Sequence, residues 1–241
     1  MNFDPLALSL DLDDTLWPIW PSIERAEQAL DAFLREHCPR TAQRYPVHKM
    51  RRLREKIALA HPQYAHDFTH QRKLSLLHAL NECGDGAQHA DAAFETFHVA
   101  RNQVDFYPDV MPALARLSAR LPLAALTNGN ADLGRIGIQG HFQVFVSARE
   151  QGHAKPDTPI FMATCQRLGL APSQVLHIGD DPLLDVVGAR RAGMPSCWIN
   201  RKKERWPVDL PRPDLEFATL AGVADWLDQR ATTRPLPPPE P

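Results

Sequence analysis

The chain has 241 residues, of which 44% are hydrophobic and 23% charged, with a formal net charge of −2. That length falls between one domain and two and can bury a core without disulfide or metal staples, and the composition excludes global disorder, collagen and coiled coil. The near-neutral charge speaks against a dedicated nucleic-acid binder, and no apolar run approaches the roughly 18–20 residues of a membrane span.

Met1 to Leu10 carries neither a basic n-region nor a small-residue cleavage site, so a cytoplasmic protein is expected. The first apolar run, Leu6 to Leu10, reads as a buried strand that ends in Asp11-Leu12-Asp13-Asp14-Thr15. The stretch that follows lacks strand runs. Apolar residues recur there at helical spacing: Ala29, Leu30, Phe33 and Leu34; Leu53, Ile57 and Ala60; Leu74, Leu77 and Leu80. Three or four helices are expected, broken near Pro39, Pro46, Pro62 and Gly84-Asp85-Gly86.

From Pro108 the pattern alternates. A helix over Val110 to Arg120 precedes a strand, Leu123 to Thr127. After a short helix come a strand (Val144 to Ser147), a helix (Thr158 to Leu168, stopped by Gly169) and a strand (Val175 to Ile178). A helix (Leu184 to Ala192, stopped by Gly193), a strand (Ser196 to Ile199) and a last helix (Leu220 to Arg230) complete the series. Alternation of this kind means parallel crossovers, hence an α/β sheet covered on both faces. Five of the 22 prolines crowd into Pro235 to Pro241, and 231–241 is expected to be an extended, mobile tail. The cysteines Cys38, Cys83, Cys165 and Cys197 form no C-x-x-C pair and are expected as free thiols.

Chemistry-bearing residues stand at the strand ends. Asp11 and Asp13, two apart, point the same way if the extended geometry persists, and paired carboxylates need a cation, a proton or a donor to coexist. A hard cation bound through oxygen answers that need, and Thr15 can donate a hydrogen bond locally. Thr127-Asn128-Gly129 closes the second strand with a hydroxyl and turn amides that suit a phosphate oxygen. Lys155 opens the next helical stretch and can neutralise a phosphoryl group. Asp180 and Asp185 follow the Val175 strand as a second acidic arm.

With DLDDT, LTNGN, the lysine of AKPD and GDDPLLD in this order, the sequence resembles the haloacid dehalogenase-like (HAD) superfamily of phosphotransferases. The resemblance implies a Rossmann-like parallel-sheet core with an inserted all-helical cap. It implies Asp11 as nucleophile, Asp13 as general acid and then base, and Thr127, Asn128 and Lys155 as phosphate contacts. It also implies a Mg²⁺ held by Asp11, the Asp13 backbone carbonyl and Asp180, with Asp185 in support. Dehalogenases of the superfamily typically lack the second acid, so Asp13 favours phosphate-ester hydrolysis, because an alkoxide leaving group needs a proton. The alternatives are a sugar-phosphate mutase of the same fold and a non-catalytic phosphate-ligand binding protein.

The stretch from Asp11 to Thr127 is far longer than one crossover needs, whereas one helix and one strand use up Thr127 to Lys155. The insertion is therefore expected at 17–106, within a core of 1–16 plus 107–230. His66 and His70 lie at i and i+4, a zinc-compatible spacing, but no third ligand is apparent and a polar helical face is the expectation. With the LTNGN and HIGDD segments, that stretch is similar to a bacterial branch acting on flavin mononucleotide and on 5-amino-6-(5-phosphoribitylamino)uracil, an intermediate of riboflavin synthesis. Lys49, Arg51, Arg52, Arg54 and Lys56 read as the solvated face of an amphipathic helix, and Arg201, Lys202, Lys203 and Arg205 as a solvated loop. The expected partner is a small phosphorylated metabolite, with no nucleic acid and no membrane, for a monomer or homodimer.

Overall fold

The computed structural model describes residues 3–232. Six strands, β1 (Ala7–Leu10), β2 (Leu123–Thr127), β3 (Val144–Ser147), β4 (Val175–Gly179), β5 (Ser196–Ile199) and β6 (Leu215–Phe217), form one sheet in the order β3-β2-β1-β4-β5-β6. Every neighbouring pair is parallel. β1, β2, β4 and β5 are buried along their whole length, which is why they read as continuous apolar runs rather than as alternation.

Successive side chains still separate the two faces. Leu8, Leu10, Leu123, Ala125, Leu176 and Ile178 pack under α6 (Val110–Ser118) and α11 (Leu220–Thr232). Ala7, Leu126, Val146 and Val175 pack under α9 (Thr158–Leu168) and α10 (Gly188–Arg191). The helices α1 (Ile19–His37), α2 (Pro39–Arg44), α3 (Val47–Ala60), α4 (Phe68–Cys83) and α5 (Ala90–Arg101) lie between β1 and β2 in the chain. All five contribute to a separate apolar core, built on Leu30, Leu34, Leu53, Leu76, Leu80 and Phe97, with α2 adding the half-buried Ala42. The fold is thus α/β, a Rossmann-like parallel-sheet core carrying an all-helical cap. Two short helices, α7 (Leu133–Ile136) and α8 (Ala148–Gln151), flank β3.

Most expected elements lie where the sequence puts them. The helix stop at Gly169 is a left-handed residue (φ 70°), with Gly169 N–H donating to Gln166 O and Leu170 N–H to Cys165 O. Five features differ. The helical stretch holds five α-helices rather than three or four, because Pro39 starts a new helix at once after Cys38. The buried stripe of α4 is Arg72, Ser75, Leu76, Ala79 and Leu80, whereas Leu74 and Leu77 are only half-buried. Polar residues occupy part of that inward face, so counting apolar residues misplaces it. The helix expected from Leu184 begins as a π-type turn over Pro182–Val187, with the Asp181 carboxylate accepting from Leu183 N–H and Leu184 N–H, both at 2.8 Å. β6 was not expected, and α11 runs to Thr232, two residues into the expected tail; the rest of that tail lies outside the described residues.

All four cysteines are free, three of them buried. Among the described residues no helix is long and apolar enough to cross a membrane.

Candidate active site

β1, β2 and β4 are adjacent and parallel, so their C-terminal ends gather in one place, the position where open α/β sheets bind ligands. Asp11 follows β1, Thr127 closes β2 and Asp180 follows β4. Lys155 comes from the loop between α8 and α9. Its Nζ donates to Asp11 Oδ1 at 2.5 Å and to Asp185 Oδ1 at 2.6 Å, with all three side chains buried.

Asn128 sets the place of this lysine. Its side chain donates to Lys155 O at 2.9 Å and accepts from Lys155 N–H at 2.7 Å. The expected phosphate contact at Asn128 is thus committed, through its side chain, to the Lys155 backbone. Asp185 is similarly engaged. Oδ1 also lies 3.2 Å from His177 Nε2, and Oδ2 accepts from Asp181 N–H at 2.9 Å. His177 Nδ1 in turn lies 3.0 Å from Ser9 Oγ. Gly179 makes room for this arrangement, since a Cβ there would overlap the Asp185 carboxyl group.

Asp11, Asp180 and Asp185 each offer an oxygen within 4.8 Å of the others. Thr15 Oγ1 lies 3.2 Å from Asp11 Oδ2 and 3.1 Å from Asp180 Oδ1, but one hydroxyl proton serves one carboxylate at a time. Burial pushes Asp11 up to about 7 despite Lys155, and Asp185 adds to the rise. Burial, then the charges of Asp11 and Asp185, push Asp180 up to about 8. For Asp185 burial acts upward too, yet Lys155 and His177 outweigh it and hold this carboxyl well below the usual range. Burial favours the neutral form of Lys155, but Asp11 and Asp185 prevail and keep it charged. One ammonium among three carboxylates leaves a deficit of positive charge in an all-oxygen donor set. Asp11 and Asp180 have acceptor capacity left for a hard cation, while Asp185 is already occupied.

Asp13 takes no part in that cluster. β1 ends at Leu10, and Asp13 bridges to Trp17 around a turn with Asp14 in the left-handed region (φ 59°). Asp13 accepts from Trp17 Nε1 at 2.9 Å and from Arg101 Nη2 at 2.7 and 2.6 Å. Arg101, the last residue of α5, is 1% exposed. Gly129 permits the close approach here, since a Cβ on it would stand 2.6 Å from Asp13 Oδ2. The Thr127 hydroxyl accepts from Gly129 N–H at 2.9 Å and keeps its own proton for a ligand oxygen.

Several participants escaped the sequence reading. Arg101 gave no signal, as a lone arginine at a helix end. Trp17 stands at i+4 from Asp13, which a search for local partners could have found. Arg201, expected in a solvated loop, donates to Thr15 O at 2.9 Å and to Asp109 Oδ1 at 2.8 Å, and stacks on Tyr107, so it braces the motif loop. Arg51 and Arg54, expected on a solvated face, instead line the site cavity, drawn in by the buried Glu27. Asp67 caps α4 through His70 N–H, and the His70 ring packs against Tyr64 at a 46° tilt.

A cavity of about 560 Å³ lies between core and cap. Asp11, Asp13, Thr127 and Lys155 line its floor, and Arg72 and Phe97 its cap side.

The chain is similar to known proteins. A model of haloacid dehalogenase-like hydrolases matches residues 6–193. The 5-amino-6-(5-phospho-D-ribitylamino)uracil phosphatase YigB of Escherichia coli is 32% identical, over 90% of this chain and 94% of its own. A phosphoserine phosphatase of Thermus thermophilus is 36% identical over 60% of each chain. A solved 2-haloacid dehalogenase from Pseudomonas syringae superposes with a TM-score of 0.87 at 34% identity, covering 94% of this chain and 99% of that one. With a family model matched over residues 6–193 and a relative 32% identical over 90% of the sequence, the chain belongs to the haloacid dehalogenase-like hydrolases.

Proposed function

We propose that the enzyme is a Mg²⁺-dependent phosphomonoester hydrolase acting on a small phosphorylated metabolite. Asp11 attacks phosphorus and the ester P–O bond breaks, giving an aspartyl phosphate and an alkoxide that takes a proton from Asp13. Asp13 then accepts a proton from water as the water oxygen attacks phosphorus. The acyl-phosphate bond breaks, inorganic phosphate leaves and Asp11 is free again. Lys155 orients Asp11 and offsets phosphoryl charge, and the Thr127 hydroxyl donates to a phosphoryl oxygen. Asp11 and Asp180, with the Asp13 backbone carbonyl and support from Asp185, would hold Mg²⁺, which supplies charge neutralisation for a dianionic ester. In this reading 1–16 and 107–230 are the catalytic core, and 17–106 is the cap that keeps out water.

The observation that carries the reading is the separate anchoring of two carboxylates over one cavity. Asp11 is held by Lys155, and Asp13 by Arg101 and Trp17. A second acid supported in this way has a use when the leaving group is an alkoxide. A halide departs without a proton, so the same acid would be idle in a dehalogenase. The similarity to YigB over 90% of the chain supports 5-amino-6-(5-phosphoribitylamino)uracil as the substrate, and the resemblance of the motif and cap segments adds flavin mononucleotide. The cavity is also within the usual range for small-molecule sites.

Phosphate release from p-nitrophenyl phosphate and from a panel including those two compounds tests the reading, with halide release from 2-chloropropionate measured beside it. Mg²⁺-dependent phosphate release without halide release is expected. Halide release without phosphate release defeats the proposal.

The acid cluster also predicts a pH-dependent effect of Mg²⁺ on stability. Asp11 and Asp180 titrate in the folded protein at about 7 and about 8, against 3.8 for the ordinary carboxyl. The folded state therefore binds more protons than the unfolded one between about pH 4 and 8, and stability of the metal-free protein falls as pH rises through that window. A bound cation removes the repulsion. Mg²⁺ at a hundred times its Kd adds about 2.7 kcal/mol, a rise of roughly 5–10 °C in Tm for a chain this size. Thermal melts at fixed Mg²⁺ should show a larger rise at pH 8 than at pH 6. An equal rise at both rules out binding at these acids.

A further inference from the structure

Arg72 is 8% exposed, and its guanidinium lies 3.4 Å from the centroid of the Phe97 ring. Among the described residues it forms no ion pair. Burial, then Arg54, works against its charged form, and the nearest compensation is Glu27. Glu27 is already spent on Arg51, which donates to it at 2.9 and 2.7 Å, and it has Arg54 at 3.9 Å. Arg101, by contrast, is committed to Asp13. Both its bonds to Asp13 run through Nη2, while Nη1 is buried without a partner.

Buried cations and donors in folded proteins are paired as a rule, and orphaned ones call for an explanation. Arg72 lines the cavity whose floor holds Asp11 and Lys155. We propose that Arg72, lying on the Phe97 ring, forms a second recognition subsite, which reads a pair of oxygen acceptors on the leaving alcohol. This rests on the phosphatase reading and narrows its substrate to phosphomonoesters that carry a carboxylate or paired ring carbonyls. The planar fork of a guanidinium matches such a pair, and the Phe97 face holds the Arg72 fork flat. Phosphate itself is served on the cavity floor by Thr127 and Lys155. The two subsites together hold one molecule at two points.

Two substrate pairs separate the sources of the acceptor. 6-Phosphogluconate and glucitol 6-phosphate differ by a carboxylate. Flavin mononucleotide and ribitol 5-phosphate differ by the ring with its carbonyls. In the Mg²⁺-loaded enzyme, kcat/KM for the acceptor-bearing member of at least one pair should exceed that of its mate by about ten-fold or more. Arg72→Met should bring that ratio below about three, and Arg72→Lys, which keeps charge without the fork, should fall between. Ligand-free Arg72→Met should melt no lower than wild type, because it removes a buried charge with no partner. Equal treatment within both pairs overturns the proposal, as does a ratio that survives Arg72→Met or a variant that melts well below wild type. Calorimetric binding of the same esters to Asp11→Asn measures the subsite without turnover. If no ester is hydrolysed by wild type yet this variant discriminates within a pair, the phosphatase reading fails and the subsite stands.

Discussion

Asp11→Asn should lower phosphate release by about four orders of magnitude or more in kcat, the scale seen when a covalent nucleophile is removed. The substitution keeps shape and takes away both the attacking charge and a ligand for Mg²⁺. Stability should move the other way. Asp11 is a buried carboxyl raised to about 7, so in the metal-free protein at pH 8 its charge works against folding. Metal-free Asp11→Asn should thus melt no lower than wild type at pH 8, while the Mg²⁺-induced rise in Tm shrinks. Phosphate-release assays and melts check the two halves separately. Activity within ten-fold of wild type would remove Asp11 from the chemistry altogether.

The second large effect concerns Lys155. Its ammonium is the one cation bridging Asp11 and Asp185 among the described residues, at 2.5 and 2.6 Å. Breaking a buried pair by deleting one partner costs about 3–5 kcal/mol, because the other charge is left uncompensated. Lys155→Ala should lower Tm by about 6–20 °C in metal-free protein at pH 8. Lysine-stabilised carboxylates protonate more readily once the lysine is gone, so the loss should be smaller at pH 5. An equal loss at both pH values would mean that Lys155 acts through packing, not charge. Catalysis should fail as well, since the phosphoryl group loses a counter-charge and Asp11 its orientation.

Much of the core was legible because its strands are short, wholly buried and bounded by turn residues. Leu123 to Thr127 and Ser196 to Ile199 are visible as apolar runs, and Gly169 marks a helix end by a conformation that favours glycine. The residues at the ends of those runs were legible by type. Asp11, Thr127 and Asp180 come together because parallel order places strand ends side by side, and Lys155 joins them from the loop before α9, held there by Asn128. What was hidden depends on distant partners. Arg101 reaches Asp13 across 88 residues, and no local pattern announces such a contact. Arg51 and Arg54 look like surface arginines until Glu27 is seen buried beneath them. β6 has three residues, half of its surroundings are open, and Pro207, Pro211 and Pro213 precede it, so period and length both fail as signals.

The position of β1 between β2 and β4 has a consequence for how the chain assembles. Both of its neighbours are made later than the entire helical insertion. The Lys155–Asp11 contact closes a span of 144 residues, and the His177–Ser9 contact one of 168. Closing such spans is slow, whereas α1 to α5 all lie within Ile19–Arg101 and pack on one another over shorter separations. On the ribosome the helical part can therefore bury its stripes while Leu6 to Leu10 is still an unpaired apolar strand, with both edges open to another chain. Asp11 is synthesised before either strand that will hold it, so crowding and chaperones act on this enzyme during a window in which its cap exists and its catalytic centre does not.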